Sequence, residues 1–147
     1  MGELLTATHN FGVAPIRAAT TADTFKAALY LASATINAST TVYTTTGEVT
    51  GTNYTAGGVT VTNANVPVAT NSSVTAGVAY WTPSASFVYT TVTLSTAFDT
   101  VLLYNSTQTN KAVSVHTFGS QTITAGTFTL TMPSSTTTTA LLRLSTT

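Results

Sequence analysis

From Thr24 onward, apolar residues recur at every second position, and this period decides what the chain can fold into. TFKAALYLA sets Phe25, Ala27, Leu29 and Leu31 on one side and Lys26, Ala28 and Tyr30 on the other. SFVYTTVTL alternates Val88, Thr90, Val92 and Leu94 with Phe87, Tyr89, Thr91 and Thr93. AVSVHTF places Val113, Val115 and Thr117 opposite Ala112, Ser114, His116 and Phe118. TFTLTM directs Phe128, Leu130 and Met132 inward and Thr127, Thr129 and Thr131 outward, and ALLRL directs Ala140, Leu142 and Leu144 inward and Leu141 and Arg143 outward. Successive side chains of a strand point to opposite faces, so such alternation signals half-buried β-strands. Most of these residues are β-branched or aromatic, which suits a pleated surface.

The punctuation agrees. TAG occurs at Thr55–Gly57, Thr75–Gly77 and Thr124–Gly126, each time just before an alternating run. Glycine reaches positive φ without a side-chain penalty, so each TAG is expected to turn the chain into a strand. The one helix candidate is Asp23 capping TFKAALYLA, and its alternation and Tyr30 favour a strand. SSTTTT (Ser134 to Thr139) is expected to be a loop. In residues 1–23 the apolar side chains keep no period, and Gly12 and Pro15 interrupt any helix, so an extended arm is expected there. The expected fold is therefore all-β: an antiparallel β-sandwich, jelly-roll-like, of some eight short strands over residues 24–147, preceded by the arm.

A chain of 147 residues supports one domain with a real core. Its surface is unusual. It has 38 Thr and 13 Ser, and charged residues make up 5% where about 25% is typical. Threonine has the shape of valine and a hydroxyl for water, so it coats a sheet without ions. Sheet edges are ordinarily guarded by charge or proline, and a neutral surface favours association. Edges and faces of this protein are therefore expected to be covered by partners, by copies of itself, or by both.

The same composition excludes other classes. Arg17, Lys26, Lys111 and Arg143 are scattered, so no basic surface for nucleic acid is expected. Without cysteine there is no disulfide framework and no thiolate metal site. The start MGELLTATHN has no signal-peptide pattern, and no window is apolar enough to span a membrane. Gly2 to Thr6 fits a myristoylation pattern, but in a threonine-rich chain the match is cheap and Glu3 argues against it. The sequons at Asn37, Asn53, Asn71 and Asn105 occur about as often as this composition produces by chance.

Candidates for chemistry are few: Glu3, Asp23, Glu48, Asp99, His9, His116 and many hydroxyls. No nucleophile elbow, paired carboxylates or converging metal ligands are visible, so no catalytic residue, metal or cofactor is assigned and the chain is read as a non-enzyme. His116 reads as a strand histidine and Asp99 as a turn acid bonding backbone. Glu48, between Gly47 and Val49, is the most informative lone acid: it is expected to bond loop amides, or else to pair with a base on a neighbour. Tyr80 and Trp81 read as core and rim, or alternatively as a platform for a sugar or a partner.

KAALYLASATINASTTVYTTTGEVTGTNYTAGGVTVT, Lys26 to Thr62, resembles a family of tailed-bacteriophage and prophage structural proteins. The order Y-T-T-T-G-E-V then Y-T-A-G-G carries most of the resemblance. NKAVSVHTFGSQTITAGTFTLTMP, Asn110 to Pro133, and ALLRL are similar to the closing strands of that family. Together these blocks cover over half of the chain, and the arm and residues 64–109 match only loosely. The resemblance implies a virion component made in the bacterial cytoplasm, and similar small β proteins act as capsid cement or decoration. The expected partners are the major capsid protein, other virion proteins and copies of itself. Leu4, Leu5, Phe11, Ile16 and Arg17 of the arm are the expected interface residues. The alternative is a tail or head-fibre module that binds a receptor or glycan.

Overall fold

The computed structural model describes residues 23–63, 65–70 and 77–145. Leu4, Leu5, Phe11, Ile16 and Arg17 lie outside the described residues. Seven strands form: β1 (Phe25–Leu31), β2 (Val59–Thr60), β3 (Val68–Thr70), β4 (Val78–Trp81), β5 (Phe87–Asn105), β6 (Lys111–Leu130) and β7 (Leu142–Ser145). Every strand pairing is antiparallel. No helix is present among the described residues, so none of them forms a helix long and apolar enough to cross a membrane. The fold is all-β, but with two strands of 19 and 20 residues in place of a series of uniformly short ones.

The chain divides into two compact units. One comprises Thr24–Val61 and Phe87–Leu130 and holds a sheet in the order β2-β1-β5-β6. Its inner strand β1 is buried on both faces: Ala28 and Tyr30, on the opposite side from Ala27 and Leu29, are just as inaccessible. The reason is the segment after β1. Ala34, Ile36 and Tyr43 fold over that face and pack with Ala112 and Val115 against Ala28, Tyr30, Leu102 and Tyr104.

On β5 the expected faces are also corrected. Phe87, Tyr89, Val92 and Leu94 are all buried, whereas Val88 is 41% exposed. A bulge moves the alternation by one residue: the step from Tyr89 to Val92 is one residue longer than the facing step from Phe128 to Gly126. Thr91 takes up the excess at φ 54°. The third TAG is likewise no turn. It lies within β6, and the positive φ falls on Ala125, at 48°, whose N–H donates to the Thr93 hydroxyl at 2.9 Å. The inward residues of TFTLTM do alternate as expected, and Phe128 joins Phe98 and Phe118 in an aromatic cluster with centroids 5.1 and 5.4 Å from its own.

The described part of the other unit consists of Asp23 and residues within Thr62–Ser86 and Thr131–Thr147, and it holds a sheet in the order β3-β4-β7. Trp81 of β4 is fully buried, and its indole N–H lies 3.2 Å from Asn63 Oδ1 and 3.1 Å from the Asn65 carbonyl. Tyr80, its neighbour, is half-buried. Residues 134–139 form a loop, as expected, closed by the Ala140 N–H bonding the Thr136 carbonyl. Leu144, expected inside, is 44% exposed on β7, whereas Leu141 is half-buried.

Candidate functional site

Residues Tyr43 to Gly58 build a connected side-chain cluster with Tyr30, Tyr89 and Tyr104. It begins with a strand edge. β1 pairs with β5 along one edge, and its other edge is taken by β2 and then by a bridge from Tyr30 to Glu48. Leu31 N–H bonds the Gly47 carbonyl at 2.9 Å, and Val49 N–H bonds the Leu29 carbonyl at 3.0 Å. Two glycines fit the return. Gly58 has φ 73°, and a Cβ there would stand 1.7 Å from the Ala27 carbonyl oxygen. Gly57 has φ 89°. Only glycine combines these angles with so close an approach.

This path buries Glu48, which is 7% exposed. Its carboxylate accepts three hydrogen bonds: from the Tyr43 hydroxyl at 2.6 Å, from the Tyr54 hydroxyl at 2.8 Å and from the Gly57 N–H at 2.7 Å. The Tyr54 oxygen in turn accepts the Leu29 N–H at 3.0 Å. A relay therefore runs from the β1 backbone through Tyr54 to Glu48 and on to Gly57. More phenols close around it. Tyr43 stacks on Tyr104 with centroids 4.6 Å apart, and Tyr104 donates to the Gly57 carbonyl at 2.9 Å. Tyr54 stacks on Tyr89, and Tyr89 donates to the Ala27 carbonyl at 2.8 Å. Tyr30 donates to the Thr44 carbonyl.

Burial, with the Glu48 carboxylate nearby, disfavours every phenolate in the cluster. Tyr30 and Tyr104 are pushed up to about 12, chiefly by desolvation. Tyr43, Tyr54 and Tyr89 are raised further, again chiefly by desolvation. These hydroxyls are held as neutral donors. The cluster is chemically suited to fixing a loop on a sheet. The three contacts occupy both oxygens of the buried Glu48 carboxylate.

The other candidates are dispersed. Asp99 is a mid-strand residue of β5, not a turn acid, and accepts the Thr100 hydroxyl at 2.7 Å. His116 is a half-buried strand residue whose Nε2 lies 2.9 Å from Ser114 Oγ, and burial lowers its pKa below the usual 6.5. Asp23 is buried, and Glu3 and His9 lie outside the described residues. No three His, Asp or Glu side chains converge for a metal among the described residues. Of the two readings of Glu48, the loop-amide one is realised through Gly57, and the tyrosine partners are new. Their signal was present in the sequence: one acid in a long neutral stretch, with Tyr43 and Tyr54 on either side.

Two half-open grooves lie in the first unit. One, of about 490 Å³, is lined by Ile36, Asn37, Thr40, Ala112, Val113 and Val115 among others. The other, of about 340 Å³, includes Lys26, Asn53, Tyr54, Thr55, Thr60 and Val88. No protein-family model, curated protein or solved structure matches this chain.

Proposed function

We propose that this chain is a structural component of a tailed-bacteriophage or prophage virion: a capsid cement or decoration protein that bridges and stabilises major capsid subunits. One observation carries the reading beyond composition. The residues that carry the family resemblance, Tyr43, Glu48, Tyr54, Gly57 and Gly58, are used to lock a sheet edge and not to line an open reactive centre. A rigid sheet coated with hydroxyls suits a part whose work is mechanical. Burying ~1,000 Å² per copy at ~25 cal/mol per Å² gives about 25 kcal/mol before the costs of association, and the gain repeats over every copy. Within this reading the domain is a jelly-roll-like sandwich, residues 1–23 are an arm that contacts a neighbouring subunit, and the protein sits on the capsid surface.

Cryo-imaging of the parent particle with this chain located tests the proposal. Hundreds of copies bridging capsid subunits are expected, and deletion of residues 1–20 is expected to abolish loading of an otherwise folded protein. Absence from purified particles overturns the reading. The second reading, a tail or head-fibre module for a receptor or glycan, is favoured by the groove that includes Lys26, Asn53 and Tyr54. A few to tens of copies per particle, with binding in a glycan screen, selects it.

A further inference from the structure

The outer edge of β6 shows a feature that neither the resemblance nor the buried cluster uses. Among the described residues this edge is paired only at its start. Val42 bridges Lys111, Ala112 N–H bonds the Thr41 carbonyl at 3.0 Å, and Tyr43 N–H bonds the Asn110 carbonyl at 2.9 Å. Beyond Ala112 no described strand adds to it. An unpaired edge is a template for another strand unless charge, proline or irregularity guards it. From residue 113 to residue 130 there is no proline, no Lys, Arg, Asp or Glu, and His116 is the one titratable group.

The irregularity has a pattern. Opposite β5, β6 is in straight register over Ser114–Thr117 and again over Phe128–Leu130, and its register shifts repeatedly between them. The edge reads straight, bulged, straight in either direction, about a midpoint at residue 122. A second copy turned by a two-fold axis there lays each straight run against the other one, and the bulged middle against itself. For the two straight runs this is the self-complementarity that an isologous contact requires, whereas in the middle the shifts differ in size and Ala125 comes opposite Gly119. Charge permits it as well. With Thr122 on the axis, the two Lys111 residues stand 22 positions apart, roughly 70 Å at ~3.3 Å per residue. Ser120, Thr122 and Thr124 are exposed and meet only hydroxyls of the copy.

We infer that β6 is a homodimerisation edge, occupied by β6 of a second copy in antiparallel register about Thr122. The inference does not depend on which particle, if any, the protein belongs to. The test is analytical ultracentrifugation of the full chain. The wild-type protein is expected to sediment as a concentration-dependent dimer at about 100 µM or below. The triple variant Ser120→Lys, Thr122→Lys, Thr124→Lys opposes like charges in every central pair, and its dimer dissociation constant is expected to rise at least about tenfold. The matching triple glutamate variant is expected to do the same alone and to form a heterodimer when mixed with the lysine variant. Circular dichroism checks that both remain folded. Should either fail to fold, amide exchange on the wild type decides: the free amides of Ser114–Thr117 and Phe128–Leu130 are expected to be protected at high concentration and to lose protection on dilution. A wild-type chain that stays monomeric, a lysine variant that dimerises undiminished, or concentration-independent exchange overturns the inference. A dimer without particle binding, or particle binding without a dimer, separates it from the proposed function.

Discussion

Replacing Glu48 by alanine is the most direct test of the tyrosine lock. The substitution removes three contacts at 2.6, 2.8 and 2.7 Å, and the groups left behind are not equivalent. The Tyr43 hydroxyl is on a half-buried residue and can turn to water at small cost. The Gly57 N–H is in a buried position with no other acceptor among the described residues, and an orphaned buried donor costs about 1–3 kcal/mol. Tyr54 loses its acceptor while still receiving the Leu29 N–H, a loss of about 1.5 kcal/mol for a bond to a charged group. The expected total is about 3–4 kcal/mol, a large part of the ~5–15 kcal/mol that a domain commands. Glu48→Gln keeps the shape and one acceptor oxygen, so about half that loss is expected. The assay is urea unfolding followed by near-ultraviolet circular dichroism, with a double-mutant cycle against Tyr54→Phe. Coupling of at least about 1 kcal/mol is expected for groups in one network. A Glu48→Ala protein within about 1 kcal/mol of wild type, or strict additivity with Tyr54→Phe, would refute the lock.

Three further outcomes follow from the same geometry. Gly58→Ala drives a Cβ to 1.7 Å from the Ala27 oxygen at φ 73°, so a loss of at least about 3 kcal/mol is expected by urea unfolding, whereas Gly119→Ala meets nothing within 4 Å and is expected to change stability by less than about 1 kcal/mol. The raised tyrosines give an alkaline limit: their contribution is complete below pH 10 and is lost as pH rises through about 12, so absorbance at 295 nm is expected to show fewer than half of the six tyrosines ionised at pH 11, with the remainder appearing together with unfolding. His116 has the opposite sign: a lowered folded pKa means that its contribution is present above pH 6.5 and is lost as pH falls, and proton NMR titration of its ring is expected to give a midpoint below 6.5 that returns toward it in urea.

Period two was legible because each threonine or apolar residue reports its own face: β1 lies within such a stretch, and β5, β6 and β7 each overlap one or two, although residues 95–105 of β5 and 119–126 of β6 lie outside them. What that signal could not report was a shift of phase inside a strand. Val88 and Val92 share parity, yet Val88 faces water and Val92 the core, because Thr91 adopts φ 54° and absorbs one residue. Threonine is an unfavourable residue for that conformation, so composition gives no hint of it. Burial of Ala28 and Tyr30 was also illegible, since it depends on residues 34–43 folding back over the sheet. For the cluster, Glu48 stood out as a lone acid, but pairing it with Tyr43 and Tyr54 needs the bridge to Tyr30 that fixes the loop in register. The third TAG misled because glycine permits a turn without requiring one. There the neighbouring alanine takes the positive φ, with its N–H on the Thr93 hydroxyl.

These displaced residues bear on how a nearly ion-free sheet avoids indiscriminate growth. Charged edges reject most strands by desolvation, a means largely closed to a chain with four basic and four acidic side chains. Bulges reject by shape. A straight strand laid along β6 meets regular register at Ser114–Thr117, loses it across the shifts that follow, and regains it at Phe128–Leu130. Each shift leaves backbone groups of the incoming strand without partners, and an unmade buried hydrogen bond costs about 1–3 kcal/mol. A strand whose irregular stretch falls in the same place keeps that cost low, and the copy of β6 related by the two-fold axis sets straight run against straight run and irregular middle against irregular middle. Removing the Ala125 irregularity, for example by deleting that one residue, is therefore expected to broaden association from a discrete dimer toward higher oligomers in sedimentation. A deletion variant that remains strictly dimeric, with its secondary structure intact, would show that something other than edge shape limits the assembly.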